Sequence, residues 1–158
     1  MSERRGIPIE SPGVNVAVIR KDRDGWRFLL LKRAYTESYA GSWGFVTGTK
    51  SGDESAAQIA ARELAEETGL TAKAFWATEY VIQFYEPEFD KVWILPLIAA
   101  IVPSDSQVEL SAENDEFVWL SAEQARERVS WKNLIRAIDD LSDELKHYPA
   151  PTWVALEA

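Results

Sequence analysis

The sequence predicts an α/β (α+β) domain in which helices lie on the faces of a mixed β-sheet. Three observations predict it. Residues 14–20 with 26–32, and 73–84 with 91–102, are paired runs of β-branched and aromatic residues joined by short turns, the pattern of two hairpins. Residues 55–69 repeat apolar positions at helical spacing, and two more helical patterns follow near the C-terminus. A chain of 158 residues is one domain by length, so residues 1–158 are read as a single unit.

Residues 1–12 carry Arg4, Arg5, Pro8 and Pro12 and read as a loose arm before an edge segment. The first hairpin turns through Asp22, Arg23, Asp24 and Gly25. Residues 34–42 are polar with one glycine, which suits a surface loop bordering a ligand site, and residues 43–46 form a short apolar lead-in to the first helix. That helix is bounded by Ser55 with Gln58 three residues on, a capping box, and by Gly69, the residue type that tolerates a left-handed end. Ala57, Ala60, Ala61 and Leu64 form its core stripe.

The second hairpin turns through residues 86–90, and Pro96 within its later strand demotes part of that strand to an edge or a bulge. An acidic loop over 104–115 leads to a short strand at 116–120. Ser121 with Gln124 opens a helix to about Val129. The last helix, 131–146, aligns Leu134, Ile138, Leu141 and Leu145 on one buried stripe. Residues 148–158 contain Pro149 and Pro151 and read as an extended tail.

Composition narrows the function classes. With no cysteine there is no disulfide framework or thiolate metal site, and one histidine, His147, argues against a zinc centre. Oxygen-ligand metals remain. A formal charge of −9 argues against a nucleic-acid-binding face, because phosphate backbones need clustered lysine and arginine. A small phosphorylated ligand is still admitted, received by bound cations and a few local basic residues. No N-terminal stretch has the length of a signal peptide or membrane span, so a cytoplasmic protein without membrane partners is expected. A homodimer is left open.

The chemistry is concentrated in residues 48–70, GTKSGDESAAQIAARELAEETGL. Glu63 and Glu67 stand at i,i+4 on one flank of the apolar stripe, with Glu66 one step further round. Three carboxylates at this spacing repel unless something positive lies among them. Arg62, at i,i+4 to Glu66, can neutralise one and leave Glu63 and Glu67 to hold a hard divalent ion through oxygen ligands and waters.

Gly48, Glu54, the run Arg62-Glu63-Leu64, Glu66-Glu67 and Gly69-Leu70 together resemble the Nudix box, with nine fixed positions filled over 23 residues. Arg33 at a strand end, Trp43 before the box and Trp119-Leu120 after it also look like the family. Within it, SWGFVTGTKSGDE is most similar to the enzymes that cleave dihydroneopterin triphosphate and deoxynucleoside triphosphates.

The resemblance implies an α/β/α sandwich on a mixed sheet and a Mg²⁺-dependent pyrophosphohydrolase, with Mn²⁺ as an alternative metal. The substrate would be a nucleoside or pterin triphosphate, released as monophosphate and pyrophosphate. It implies Gly48, through its carbonyl, and Glu63, Glu66 and Glu67 as metal ligands, with Glu54 and Arg62 orienting the cluster. Glu113 is the candidate general base, similar to the glutamate of a Glu-His pair in related hydrolases although Asn114 stands in the partner's place; Glu63 is the other candidate. Arg33 and Lys50 are candidates for phosphate contacts, and Trp43, Tyr39 and Phe84 for stacking on a base. A dinucleoside polyphosphate hydrolase and a non-catalytic nucleotide sensor are the other functions such a chain admits.

Overall fold

The computed structural model describes residues 6–158. The part of the expected arm over residues 1–5 lies outside the described residues. The elements run β1 (Ile9–Glu10), β2 (Gly13–Asp22), β3 (Gly25–Arg33), β4 (Trp43–Gly44), β5 (Val46–Thr49), α1 (Ala56–Thr68), β6 (Ala74–Glu86), β7 (Lys91–Ile101), β8 (Asn114–Leu120), α2 (Ala122–Arg128), α3 (Lys132–Leu145) and β9 (Val154–Leu156). Among the described residues nine strands join one mixed sheet along the path β4-β3-β2-β7-β6-β9, with β1 on β7, β5 on β2 and β8 on β3.

The two hairpins form as the turns predict, Ile19 facing Phe28 in one and Phe84 facing Trp93 in the other. A parallel pairing of β2 with β7, Asn15 beside Leu97 through Ile19 beside Ile101, joins them. β2 changes partner along its length: its first half pairs antiparallel with β5 and its second half with β3. This division puts β5, and with it Gly48, at one end of the sheet and the β2–β3 turn at the other.

Pro96 departs from expectation. β7 is a central strand, paired with β6 on one side and with β1 and β2 on the other. The irregularity falls on the neighbouring strand, where the β6 register shifts between Ala77 and Val81 and Val81 stands opposite Pro96. The missing N–H of proline is thus accommodated by a bulge in its partner.

Both faces of the sheet are covered, which explains why β2 is buried without interruption from Gly13 to Ile19. On one face Ala17, Ile19, Phe28 and Leu30 pack with Leu134, Ile138, Leu141 and Leu145 of α3 and Ala125 of α2. On the other, Val14, Val16, Val18, Leu29 and Leu31 pack with Ile59, Ala60 and Leu64 of α1. The result is three layers, α/β/α. The α1 stripe differs in detail from its sequence reading, since Ala61 is only half-buried and Ile59 takes the buried place. Beyond α3, β9 adds to β6 with Trp76 opposite Ala155, and Trp153 is buried.

Candidate active site

The helix that carries the carboxylates is fixed at both ends. Ser55 accepts a hydrogen bond from the Gln58 amide while the Gln58 side chain accepts one from the Ser55 amide, and Gly69 closes the helix with φ 70°. The capping motif therefore sets where each glutamate lies relative to β5.

Two glycines bring helix and strand closer than side chains would permit. A Cβ on Gly48 would lie 2.1 Å from Glu63 Cγ, and a Cβ on Gly13 would lie 1.7 Å from the Gly48 carbonyl oxygen. β2, β5 and α1 thus meet here without side-chain spacers, and the Gly48 backbone is held against Glu63.

Arg62 ties this end of the helix together. Its Nε and Nη2 donate to the two Glu54 carboxylate oxygens at 2.7 and 2.9 Å, and Nη2 also donates to the Thr49 carbonyl at 2.8 Å. Nη1 donates to Glu63 at 2.8 Å and more weakly to Glu66 at 3.3 Å. The fork geometry of a guanidinium suits this work better than an ammonium would. The guanidinium, with a further hydrogen bond from the Ser51 amide, holds the Glu54 carboxyl below its usual range. Glu54 in return helps to fix Arg62 permanently in its charged form.

Glu67 is the unusual group. It is 3% exposed, and one carboxylate oxygen, Oε1, accepts from Asn114 Nδ2 at 3.3 Å. The other, Oε2, is buried with no hydrogen-bond partner among the described residues. Burial pushes its pKa up to about 8, the Asn114 hydrogen bond opposes the rise, and the charges of Glu63 and Glu113 add to it. The Glu63 carboxyl is also raised, chiefly by burial and against the pull of Arg62. A buried, unpartnered carboxylate oxygen with a second carboxylate nearby is costly unless a cation balances it.

The three box carboxylates do not converge as their spacing suggests. Glu66 turns outward, its side chain 59% exposed and its charge met by Arg62. Among the described residues no three acidic or histidine side chains already gather round one point. The candidate donors are therefore Glu67, Glu63 and the Gly48 backbone on the buried side, with Glu66 on the solvent side. Such a set fits a hard divalent ion of the Mg²⁺ kind, which keeps several waters and takes few protein carboxylates. The unpartnered Glu67 oxygen is the observation that supports the fit.

Glu113 lies exposed on the loop before β8, anchored by its own carbonyl, which accepts from the Ala34 amide at 2.9 Å. It is near enough for its charge to raise both Glu63 and Glu67. Arg33, at a register shift where β3 meets β8, acts on Glu67 with the opposite sign, and its guanidinium also faces Glu37 at 3.6 Å. Lys50 is exposed at the end of β5, where its charge reaches Glu54. In the sequence Asn114 reads only as a poor substitute for a histidine. Among the described residues it is the one side chain that hydrogen-bonds Glu67, and the available signal is its place directly after Glu113.

Of the aromatic candidates, Tyr39 and Trp43 border the corner between α2 and α3. Trp43 packs against the α3-side core, exchanges hydrogen bonds with Ser130, and has the Arg128 guanidinium 5.1 Å from its ring centroid. Tyr39 stands edge-on to Trp131 at 5.3 Å and donates its hydroxyl to the buried Glu86 at 2.5 Å. It adopts φ 57°, a left-handed conformation held by those two contacts. Phe84 is two residues from Glu86 on β6 and 39% exposed. The three do not form a single stack.

Comparison with known proteins supports the fold and shows the family. The NUDIX domain family model matches residues 11–141. A Caenorhabditis elegans Ap4A hydrolase superposes with a TM-score of 0.74 at 21% identity, covering 85% of this chain and 97% of that one. A Listeria monocytogenes protein assigned as a NUDIX hydrolase gives 0.72 at 27% identity, with 85% and 93% covered. In sequence the chain is 35% identical over 140 residues to an octanoyltransferase of Myxococcus xanthus. That alignment takes in 84% of this chain and 37% of the relative, so the chain spans little more than a third of the protein it matches.

Proposed function

The chain belongs to the NUDIX domain family, and from that premise we propose that it hydrolyses a phosphoanhydride bond of a small nucleoside or pterin triphosphate, with Mg²⁺ as the metal. The observation that carries this reading is the Glu67 carboxylate, buried beside Glu63 with one oxygen unpartnered.

Phosphoryl transfer asks a protein mainly for positioning and charge neutralisation. A divalent cation, when bound, supplies the neutralisation and acidifies a water. Glu67, Glu63 and, from the solvent side, Glu66 would hold it beside the Gly48 backbone. Arg62 and Glu54 keep Glu63 turned toward Gly48, and Asn114 keeps Glu67 oriented. Glu113 would take the proton of an attacking water; its exposure and the reach of its charge to both glutamates support that role. Arg33 and Lys50 would steady the phosphates that extend past the cluster.

Preference for dihydroneopterin or deoxynucleoside triphosphates rests on the Val46-Thr47-Gly48 lead-in of the box. The octanoyl transfer named for the M. xanthus relative is not carried over, since the match spans 37% of that protein. Incubation with Mg²⁺ and a panel of nucleoside triphosphates, dihydroneopterin triphosphate and dinucleoside polyphosphates, with products separated by chromatography, tests the proposal. Release of pyrophosphate and a monophosphate is expected. Turnover of the dinucleoside compounds alone would replace the substrate class, and binding without any product would replace the enzymatic reading with a sensor.

A further inference from the structure

A cavity of about 380 Å³ opens on the α3 face of the sheet, at the end remote from the carboxylates. Its walls include Lys21, Trp26, Lys73, Ser104, Lys146 and Tyr148. Lys21 is seven residues along β2 from Val14, the partner of Gly48, which is roughly 23 Å at strand rise. This place is separate from the Glu63 and Glu67 cluster.

Its chemistry runs against that of the chain. In a protein of net charge −9, three ammonium groups border one hollow. Among the described residues neither Lys21 nor Lys73 enters an ion pair. Lys146 meets only Asp143, at 3.1 Å on an exposed surface, a pairing of little strength. The C-terminal end of α3 arrives here with a partial negative charge of about half a unit, which three lysines exceed.

The aromatic wall is built in advance. The Trp26 and Tyr148 rings meet edge to face at 5.1 Å, and Tyr148 is fixed by accepting a hydrogen bond from Trp76 Nε1 at 3.2 Å. Lys21 Nζ lies 5.5 Å from the Trp26 ring centroid, so charge and ring face the same space. The volume falls within the range of small-molecule pockets. We infer that this cavity is a second binding site, for a small organic phosphate bearing a flat ring, of the size of a nucleoside monophosphate. The lysines take the phosphate, the aromatic pair takes the ring, and Ser104 offers a hydroxyl to the sugar. The inference is independent of the proposed hydrolysis.

Calorimetric titration of the full chain in EDTA with AMP, adenosine and inorganic phosphate tests it, since the carboxylate cluster then holds no metal. AMP should bind at least tenfold more tightly than adenosine or phosphate alone. Lys21→Glu combined with Lys73→Glu, both on exposed side chains, should weaken AMP at least tenfold without lowering the melting temperature. Glu67→Gln should bind AMP as the parent does. Undiminished binding in the double charge reversal, loss of binding in Glu67→Gln, or no binding of AMP at millimolar concentration would each overturn the assignment.

Discussion

Replacing Glu67 by glutamine should make the metal-free protein progressively more stable than its parent as the pH rises. The Glu67 carboxyl is raised from 4.5 to about 8 in the fold, so between these values the native state holds a proton that the unfolded chain releases. Native protein then binds more protons than unfolded, and stability falls with increasing pH. The contribution is greatest below pH 4.5 and is lost up to about pH 8. Each pH unit in that window is worth up to about 1.4 kcal/mol, so from pH 5.5 to 7.5 the parent loses about 2.5 kcal/mol through this group. The glutamine of the variant does not titrate, and its carbonyl can still accept from Asn114. Its unpaired amide shifts the comparison by a constant, about 1–3 kcal/mol, leaving the pH trend untouched. For a chain of this length the gap in melting temperature should widen by roughly 5–10 °C over those two units. Thermal unfolding in EDTA at several pH values measures it. Mg²⁺ at about a hundred times its dissociation constant should then raise the parent by about 2.7 kcal/mol and the variant far less. A gap that stays constant with pH would refute the buried, unpartnered carboxylate as the origin of the effect.

Gly48→Ala places a methyl 2.1 Å from Glu63 Cγ, so it should destabilise by about 1–3 kcal/mol and weaken Mg²⁺ binding together, read from denaturant midpoints and metal titration. Glu113→Gln should lower kcat by about 10²–10⁴ with Mg²⁺ affinity nearly unchanged, whereas Glu63→Gln should reduce both; an unaltered kcat in Glu113→Gln would return the base to the helix. Asn114→Ala removes a hydrogen bond that favours ionised Glu67, so the pH at which Mg²⁺ begins to bind should move upward, visible in metal titrations across about pH 6–9.

Local features of this chain are readable because they depend on neighbouring residues. Both capping boxes, Ser55 with Gln58 and Ser121 with Gln124, and the left-handed Gly69 form as their spacing requires. The α3 stripe of Leu134, Ile138, Leu141 and Leu145 is buried throughout. Long-range partners are not readable. Nothing near Pro96 says that β6 will bulge opposite it, and nothing near Val14 says that it will face Gly48. At the site, helical periodicity gives the side on which Glu63, Glu66 and Glu67 leave the backbone. It does not give the competition for Arg62, in which Glu54 and Glu63 take the shorter contacts and Glu66 is left in solvent. Tyr39 and Trp43 can be recognised as large rings near the box, but their engagement by Glu86, Ser130 and Trp131 depends on segments more than forty residues away in sequence.

The strand that supplies Asn114 bears on how the site is assembled as well as on its shape. Gly48, Arg62, Glu63 and Glu67 lie within twenty residues of one another, and the α1 contact with β5 closes a short loop. The hydrogen bond from Asn114 to Glu67 spans 47 residues, and the β3–β8 pairing that delivers it joins Phe28 to Leu120 across most of the chain. Short closures are fast and distant ones slow, so the acidic half of the site is expected to assemble before the strand that orients it, an order that φ-values at Leu64 and Val118 would test. On that order Glu67 would face water until β8 docks and brings Asn114 to it. Divalent metal present during refolding should then act on the last stage of assembly, by balancing the carboxylates as they are enclosed.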